Sequence, residues 1–122
     1  MEVYDRAHAL ARSLRNSQSF QRLLAAERTL AQKPEKWKRL QKSRKRQLEL
    51  AAKELKGEPI AAEAMNAWQA MMDALLADGG IKEYLTAEER FGRQLADVQK
   101  ILGEVLKELT LLQQNEENGE GV

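Results

Sequence analysis

Cysteine is absent from the 122 residues. That excludes a disulfide scaffold, a cysteine nucleophile, an iron–sulfur cluster held by the chain's own thiolates, and a thiolate zinc site. A reducing cytoplasm is the expected location. Histidine occurs once and proline twice, so imidazole chemistry has a single candidate and helices have few forced breaks. No stretch approaches the roughly 18 consecutive apolar residues that span a bilayer, and Met1-Glu2-Val3-Tyr4-Asp5 lacks the basic-then-apolar pattern of a secretory signal. Neither secretion nor membrane insertion is expected. β-Branched residues are sparse, while Ala, Leu, Glu, Lys, Arg and Gln abound. These side chains lose little rotamer freedom in a helix, so the reading is all-α. The length fits one domain, placed at 1–113, with 114–122 as a disordered tail that has almost nothing to bury.

Apolar periodicity predicts five helices. Val3, Ala7, Leu10, Ala11 and Leu14 line one face of a first helix over 3–15. Asn16-Ser17-Gln18-Ser19 offers N-caps for a second, which carries Phe20, Leu23, Leu24 and Leu30 to about residue 31. Pro34 opens a third, with Trp37, Leu40, Leu48, Ala51 and Leu55 on its stripe and Gly57 as its stop. Pro59 is expected to open a fourth in the same way, ending at Asp78-Gly79-Gly80. Positions 81, 84, 88, 91, 95, 98, 102, 105, 109 and 112 then hold Ile, Tyr, Glu, Phe, Leu, Val, Leu, Val, Leu and Leu. This unbroken alternation of three and four is coiled-coil spacing, and it predicts one helix over 81–113. Thr86-Ala87-Glu88-Glu89 resembles a capping box, but the stripe passes through it without a phase change. A helix of that length is about 50 Å long and outgrows a small globule. The expected architecture is therefore an elongated antiparallel bundle. Either the third and fourth helices pack beside the final helix as a long antiparallel hairpin, or its C-terminal half meets a second chain in a homodimer, with Phe91, Leu95, Val98, Leu102, Val105 and Leu109 as the self-association seam. Gly92 flanks that seam and suggests close helix approach, while Gly103 has no evident purpose.

Charge is unevenly distributed. Residues 1–56 hold 15 Lys+Arg and 6 Asp+Glu, and residues 57–122 hold 5 and 13. On the third helix Arg39, Lys42, Arg46, Lys53 and Lys56 share a side that faces away from Trp37, Leu40, Leu48 and Leu55. The plainer reading is a solvated face, or one neutralised by Glu63 and Asp73 of the fourth helix. The sharper reading is a contact surface for an acidic protein or, through about five phosphates, for RNA bound without sequence preference. No RNA-binding module pattern accompanies it.

Catalytic patterns are missing. His8 has none of the Glu-x-x-His partners of a di-metal bundle, and no nucleophile triad, phosphate-cradling glycine loop or dinucleotide fingerprint occurs. Glu104 and Glu108 stand one helical turn apart as a conceivable acid–base pair, yet without partners they read as solvated charges. No enzyme activity, metal, cofactor or small-molecule substrate is expected. Trp37, Trp68, Tyr84 and Phe91 each lie on an apolar stripe and read as core. Two charged residues sit at core-facing phases: Arg44 on the third helix and Glu88 within the final seam. They read either as devices that fix register or as long side chains whose heads reach water.

Three stretches in this order carry a resemblance: Tyr4-Asp5-Arg6-Ala7-His8-Ala9-Leu10-Ala11 running to Leu14-Arg15-Asn16-Ser17, then Gln47-Leu48-Glu49-Leu50, then Glu83-Tyr84-Leu85-Thr86-Ala87-Glu88-Glu89-Arg90-Phe91 leading to Leu95-Ala96-Asp97-Val98-Gln99-Lys100-Ile101. Together the chain, from residue 3 to about 106, resembles the YlbF/YmcA family of small bacterial helical proteins, particularly its YheA-like branch. The resemblance implies an antiparallel all-α bundle, often dimeric, without enzymatic activity. It also implies an adaptor role of the kind that influences ribonuclease Y-dependent RNA processing and, through it, competence, sporulation and biofilm formation. Relatives in that adaptor complex carry cysteines tied to iron–sulfur binding; with none here, that cluster does not carry over.

Overall fold

A computed structural model describes residues 2–109. Five α-helices follow one another: α1 (Glu2–Asn16), α2 (Gln18–Ala31), α3 (Pro34–Leu55), α4 (Ala62–Ala77) and α5 (Gly79–Gly103), with a 3-10 turn over Glu104–Glu108. No strand occurs among the described residues.

Local chemistry accounts for most boundaries. Ser17 alone separates α1 from α2: its Oγ donates to the Leu14 carbonyl at 2.6 Å and accepts from the Phe20 N–H at 3.3 Å, closing one helix while capping the next. Pro34 sits in the first turn of α3, where a missing N–H leaves nothing unsatisfied. Gly57, at φ +71°, ends α3. There the Glu58 N–H bonds the Lys53 carbonyl at 3.0 Å and the Gly57 N–H bonds that of Glu54 at 3.1 Å, the paired bonds of a Schellman stop. Asp78 joins α4 to α5 by itself, its carboxylate accepting from the N–H groups of Gly80 and Ile81 at 3.0 and 3.1 Å.

Three expectations are corrected. Pro59 does not open α4, which begins at Ala62, so Pro59 and Ile60 belong to the connection. The final α-helix starts earlier, at Gly79, passes through Thr86 without interruption as its stripe requires, and stops at Gly103 rather than continuing to 113. Gly103 marks the change to 3-10 geometry, where its low helix propensity favours a break. Residues 110–113 and the expected tail at 114–122 lie outside the described residues. Within the chain Gly92 makes no close approach: a Cβ placed there meets nothing within 4 Å.

The helices meet at a hub. Ala26 and Leu30 of α2, Leu40 of α3, Leu75 of α4, and Ile81 and Tyr84 of α5 form one buried cluster, bordered by Leu23, Trp37, Met71, Met72 and Leu85. α2 runs antiparallel along α5, so Phe20 meets Phe91 edge-on at 5.2 Å while Leu30 reaches the start of α5. α3 runs parallel to α5, with Lys36 against Asp78, Trp37 against Tyr84 and Arg44 against Glu88. Ser43, the buried polar residue, donates its hydroxyl to the Leu40 carbonyl at 2.7 Å. Away from the hub burial falls off quickly. At about 1.5 Å per residue, α3 and α5 extend past what so small a core covers.

Candidate interaction surfaces

α1 and the second half of α5 form an apolar groove outside the hub. Val3, Ala7, Leu10 and Leu14 face Leu95, Val98 and Leu102 across a cavity of about 520 Å³, with Arg6 and Gln99 at its rim. α1 has a regular apolar stripe and yet not one buried residue. Val3 remains 75% exposed, Leu102 58% and Val105 67%, and Tyr4, Ile101, Leu106 and Leu109 are exposed as well. An apolar face of this extent at one end of a small chain is the usual mark of a contact surface.

The expected seam is thereby divided. Phe91 is spent within the chain, packed on Phe20. Leu95 and Val98 are half-buried and line the groove with α1. Leu102, Val105 and Leu109 stand open to solvent. The 3.5-residue repeat could not reveal this division, because it reports which side of a helix is apolar and not which neighbour covers each turn.

On α3, Arg39, Lys42 and Lys53 are exposed, as are Leu48 and Leu55 of the expected apolar face, and Arg46 is half-buried against Glu49 of its own helix at 3.1 Å. Neutralisation by α4 is not what is found: among the described residues neither Glu63 nor Asp73 pairs with this stripe, and Asp73 accepts instead from Gln69 at 3.2 Å. Arg39 and Lys42 border a shallow depression floored by Met71, Ala74 and Leu75.

Arg44 and Glu88, the charged residues at core-facing phases, meet one another. Arg44 Nη2 donates to Glu88 Oε2 at 2.5 Å, and the Tyr84 hydroxyl donates to the same oxygen at 3.1 Å. The guanidinium also lies 5.5 Å from the centre of the Tyr84 ring. Burial alone would ease the proton off Arg44, but its hydrogen bonds and attraction to Glu88 and Tyr84 outweigh that and raise its pKa. Burial, foremost, also pushes the Tyr84 phenol above its ordinary value. They pair across helices while their side chains stay 35% and 42% exposed.

His8 is exposed on α1, and no three His, Cys, Asp or Glu side chains gather to hold a metal among the described residues. Glu104 and Glu108 fall in the 3-10 turn. At three residues per turn, positions four apart point about 120° away from each other, so they do not form a facing carboxylate pair.

The described residues thus form a strandless helical bundle with a small hub, an amphipathic helix that buries none of its residues, and open apolar and basic faces. The chain belongs to the YlbF/YmcA family: the family model described as control of the competence regulator ComK, YlbF/YmcA, matches residues 3–107. A UPF0342 protein of Symbiobacterium thermophilum is 38% identical over 104 residues, covering 85% of this chain and 93% of its own. Another, of Caldicellulosiruptor bescii, is 34% identical over 106 residues, with 86% and 88% covered. In shape the chain is similar to a solved protein of unknown function (DUF964) from Bacillus stearothermophilus, with a TM-score of 0.72 at 23% identity over 89% of this chain and 96% of that one.

Proposed function

We propose that the protein is a non-enzymatic cytoplasmic adaptor with a regulatory role. It self-associates as a homodimer through the α1/α5 apolar face and offers the basic side of α3 to an acidic protein partner. The observation that carries this reading is α1 itself: a 15-residue amphipathic helix that buries none of its own residues. Full burial of each of Leu102, Val105 and Leu109 is worth about 1.5–3 kcal/mol, and intramolecular packing leaves that gain unrealised. The regulatory part rests on the family's description as control of a competence regulator, with the ribonuclease Y-linked role of relatives as the process by which such an adaptor acts.

Sedimentation of the purified protein over a wide concentration range tests the self-association. A reversible monomer–dimer equilibrium is expected, and a monomer that persists at high concentration overturns it. The competing reading, RNA binding through Arg39, Lys42, Arg46 and Lys53, rests on three of these cations being exposed. Titration with single-stranded RNA at two salt concentrations decides it. Salt-sensitive binding that is lost when Arg39, Lys42 and Arg46 become glutamate favours RNA, and no binding at low salt removes it.

A further inference from the structure

A second concavity, separate from the apolar groove and from the α3 stripe, opens between α2 and α5. It has a volume of about 490 Å³, and its charged lining is Arg22 from α2 with Lys82, Glu83 and Arg90 from α5. Lys82, Thr86 and Arg90 follow one another at intervals of four along α5, so they form a row over two turns, about 12 Å long. Arg22 faces that row from the opposite wall. Three exposed cations thus line one hollow with a single carboxylate. Among the described residues none of the three is paired, whereas nearby Lys36, Arg44 and Arg93 all hold carboxylates. The start of α5 does not supply the charge, because Asp78 already occupies the N–H groups of Gly80 and Ile81.

We infer that this cleft binds a small phosphate-bearing anion, with Arg22, Lys82 and Arg90 as its charge partners and the Thr86 hydroxyl as a neutral donor. Arginine matches phosphate oxygens with a planar fork of donors, and a row of this length accommodates two adjacent phosphoryl groups. The volume falls within the range of small-molecule sites. A bounded ligand fits better than a polynucleotide, because Glu83 lines the cleft and Asp97 lies further along the same face of α5, and both would repel a phosphodiester chain that continued past it.

Sodium pyrophosphate and ADP are the probes. Calorimetric titration of the intact protein at low ionic strength should give a saturable one-to-one isotherm that weakens as salt rises. Arg22→Gln and Arg90→Gln should each weaken it about tenfold, while Arg39→Gln with Lys42→Gln on α3 should leave it unchanged. In the unsubstituted protein, pyrophosphate should shift the amide resonances of Arg22, Lys82, Thr86 and Arg90, a readout that does not depend on any variant folding. The absence of a saturable isotherm, or shifts centred on Arg39 and Lys42, would overturn the proposal. So would a short oligoribonucleotide that occupies the cleft more tightly than either small probe.

Discussion

Arg44 on α3 and Glu88 on α5, 44 positions apart in the chain, meet as an ion pair on which the Tyr84 hydroxyl also converges. The pair bridges two parallel helices at the edge of the hub, where it is expected to help set their longitudinal register. Replacing either residue with alanine removes this cross-helix ion pair, with an expected loss of about 1 kcal/mol. Both side chains are more than a third exposed, so solvent screening limits their mutual coupling to about 1 kcal/mol or less. A double-mutant cycle of Arg44→Ala and Glu88→Ala, followed by urea unfolding, measures it. Coupling indistinguishable from zero would leave the pair with no part in setting register.

Tyr84 extends that relationship to pH. Burial raises its pKa above the ordinary 10.0, with the Glu88 charge acting in the same direction and Arg44 opposing. A group whose folded pKa exceeds its unfolded one contributes stability that is whole below the unfolded value and is lost as pH rises through the folded value. Stability should therefore decline in the alkaline range above pH 10.0. Tyr84→Phe should flatten that part of the stability profile, with phenolate absorbance as the direct check.

At the other end of the scale, Asp78 caps α5 and holds Lys36 of α3 at 2.8 Å. The Lys36 hydrogen bond, then the Ile81 N–H, holds its carboxyl below the ordinary 3.8. Here the sign reverses: the contribution is present above the unfolded pKa and is lost as pH falls through the folded one. Thermal melts should show Asp78→Asn less stable than the unsubstituted protein at neutral pH, with the difference closing below pH 3.8.

The phases of Arg44 and Glu88 were visible in the sequence, because a helix of known period assigns every residue a direction. Their meeting was not, since it depends on how α3 lies along α5, and a repeat carries no such information. The same limit applies to Phe91, whose place on the stripe could not announce Phe20 as its cover. Boundaries followed the strength of their local chemistry. Ser17, Pro34 and Gly57 each satisfy or terminate specific backbone groups and were legible. Pro59 suits a first turn equally well, but the chain between Gly57 and Ala62 is used as a connection instead. The α1/α5 groove was half legible: the stripe on each helix was evident, but not that the two would face each other and remain uncovered.

Two glycines should respond in opposite ways to alanine. Gly57 holds φ at +71°, where a Cβ is strained, so Gly57→Ala should cost about 1 kcal/mol. Gly92 lies inside α5, and the space that a methyl group would fill there is open to 4 Å, so Gly92→Ala should gain about 0.5–1 kcal/mol from helix propensity and reduced chain entropy. Chemical denaturation of the two variants against the parent protein checks both signs. A destabilised Gly92→Ala would reveal a close neighbour at that position.

The exposed end of α5 gives the sharpest test of self-association, because it separates an interface from a folding core. Leu102 and Val105 are open to solvent and outside the buried cluster. Glutamate at both positions should therefore leave the melting temperature of the dilute monomer nearly unchanged. In a dimer the same charges would be forced into an apolar contact, where an unpaired carboxylate costs several kcal/mol, so the dissociation constant should rise by at least tenfold. Leu75→Glu supplies the contrast: placed at 1% exposure in the hub, it should unfold the chain at any concentration. Hydrogen exchange along α1 provides the independent readout. With no residue of its own buried, α1 should exchange quickly in the dilute protein and slow as concentration rises, and Leu102→Glu with Val105→Glu should abolish that slowing. Protection of α1 that is already high in the monomer and independent of concentration would mean that the groove is closed within one chain.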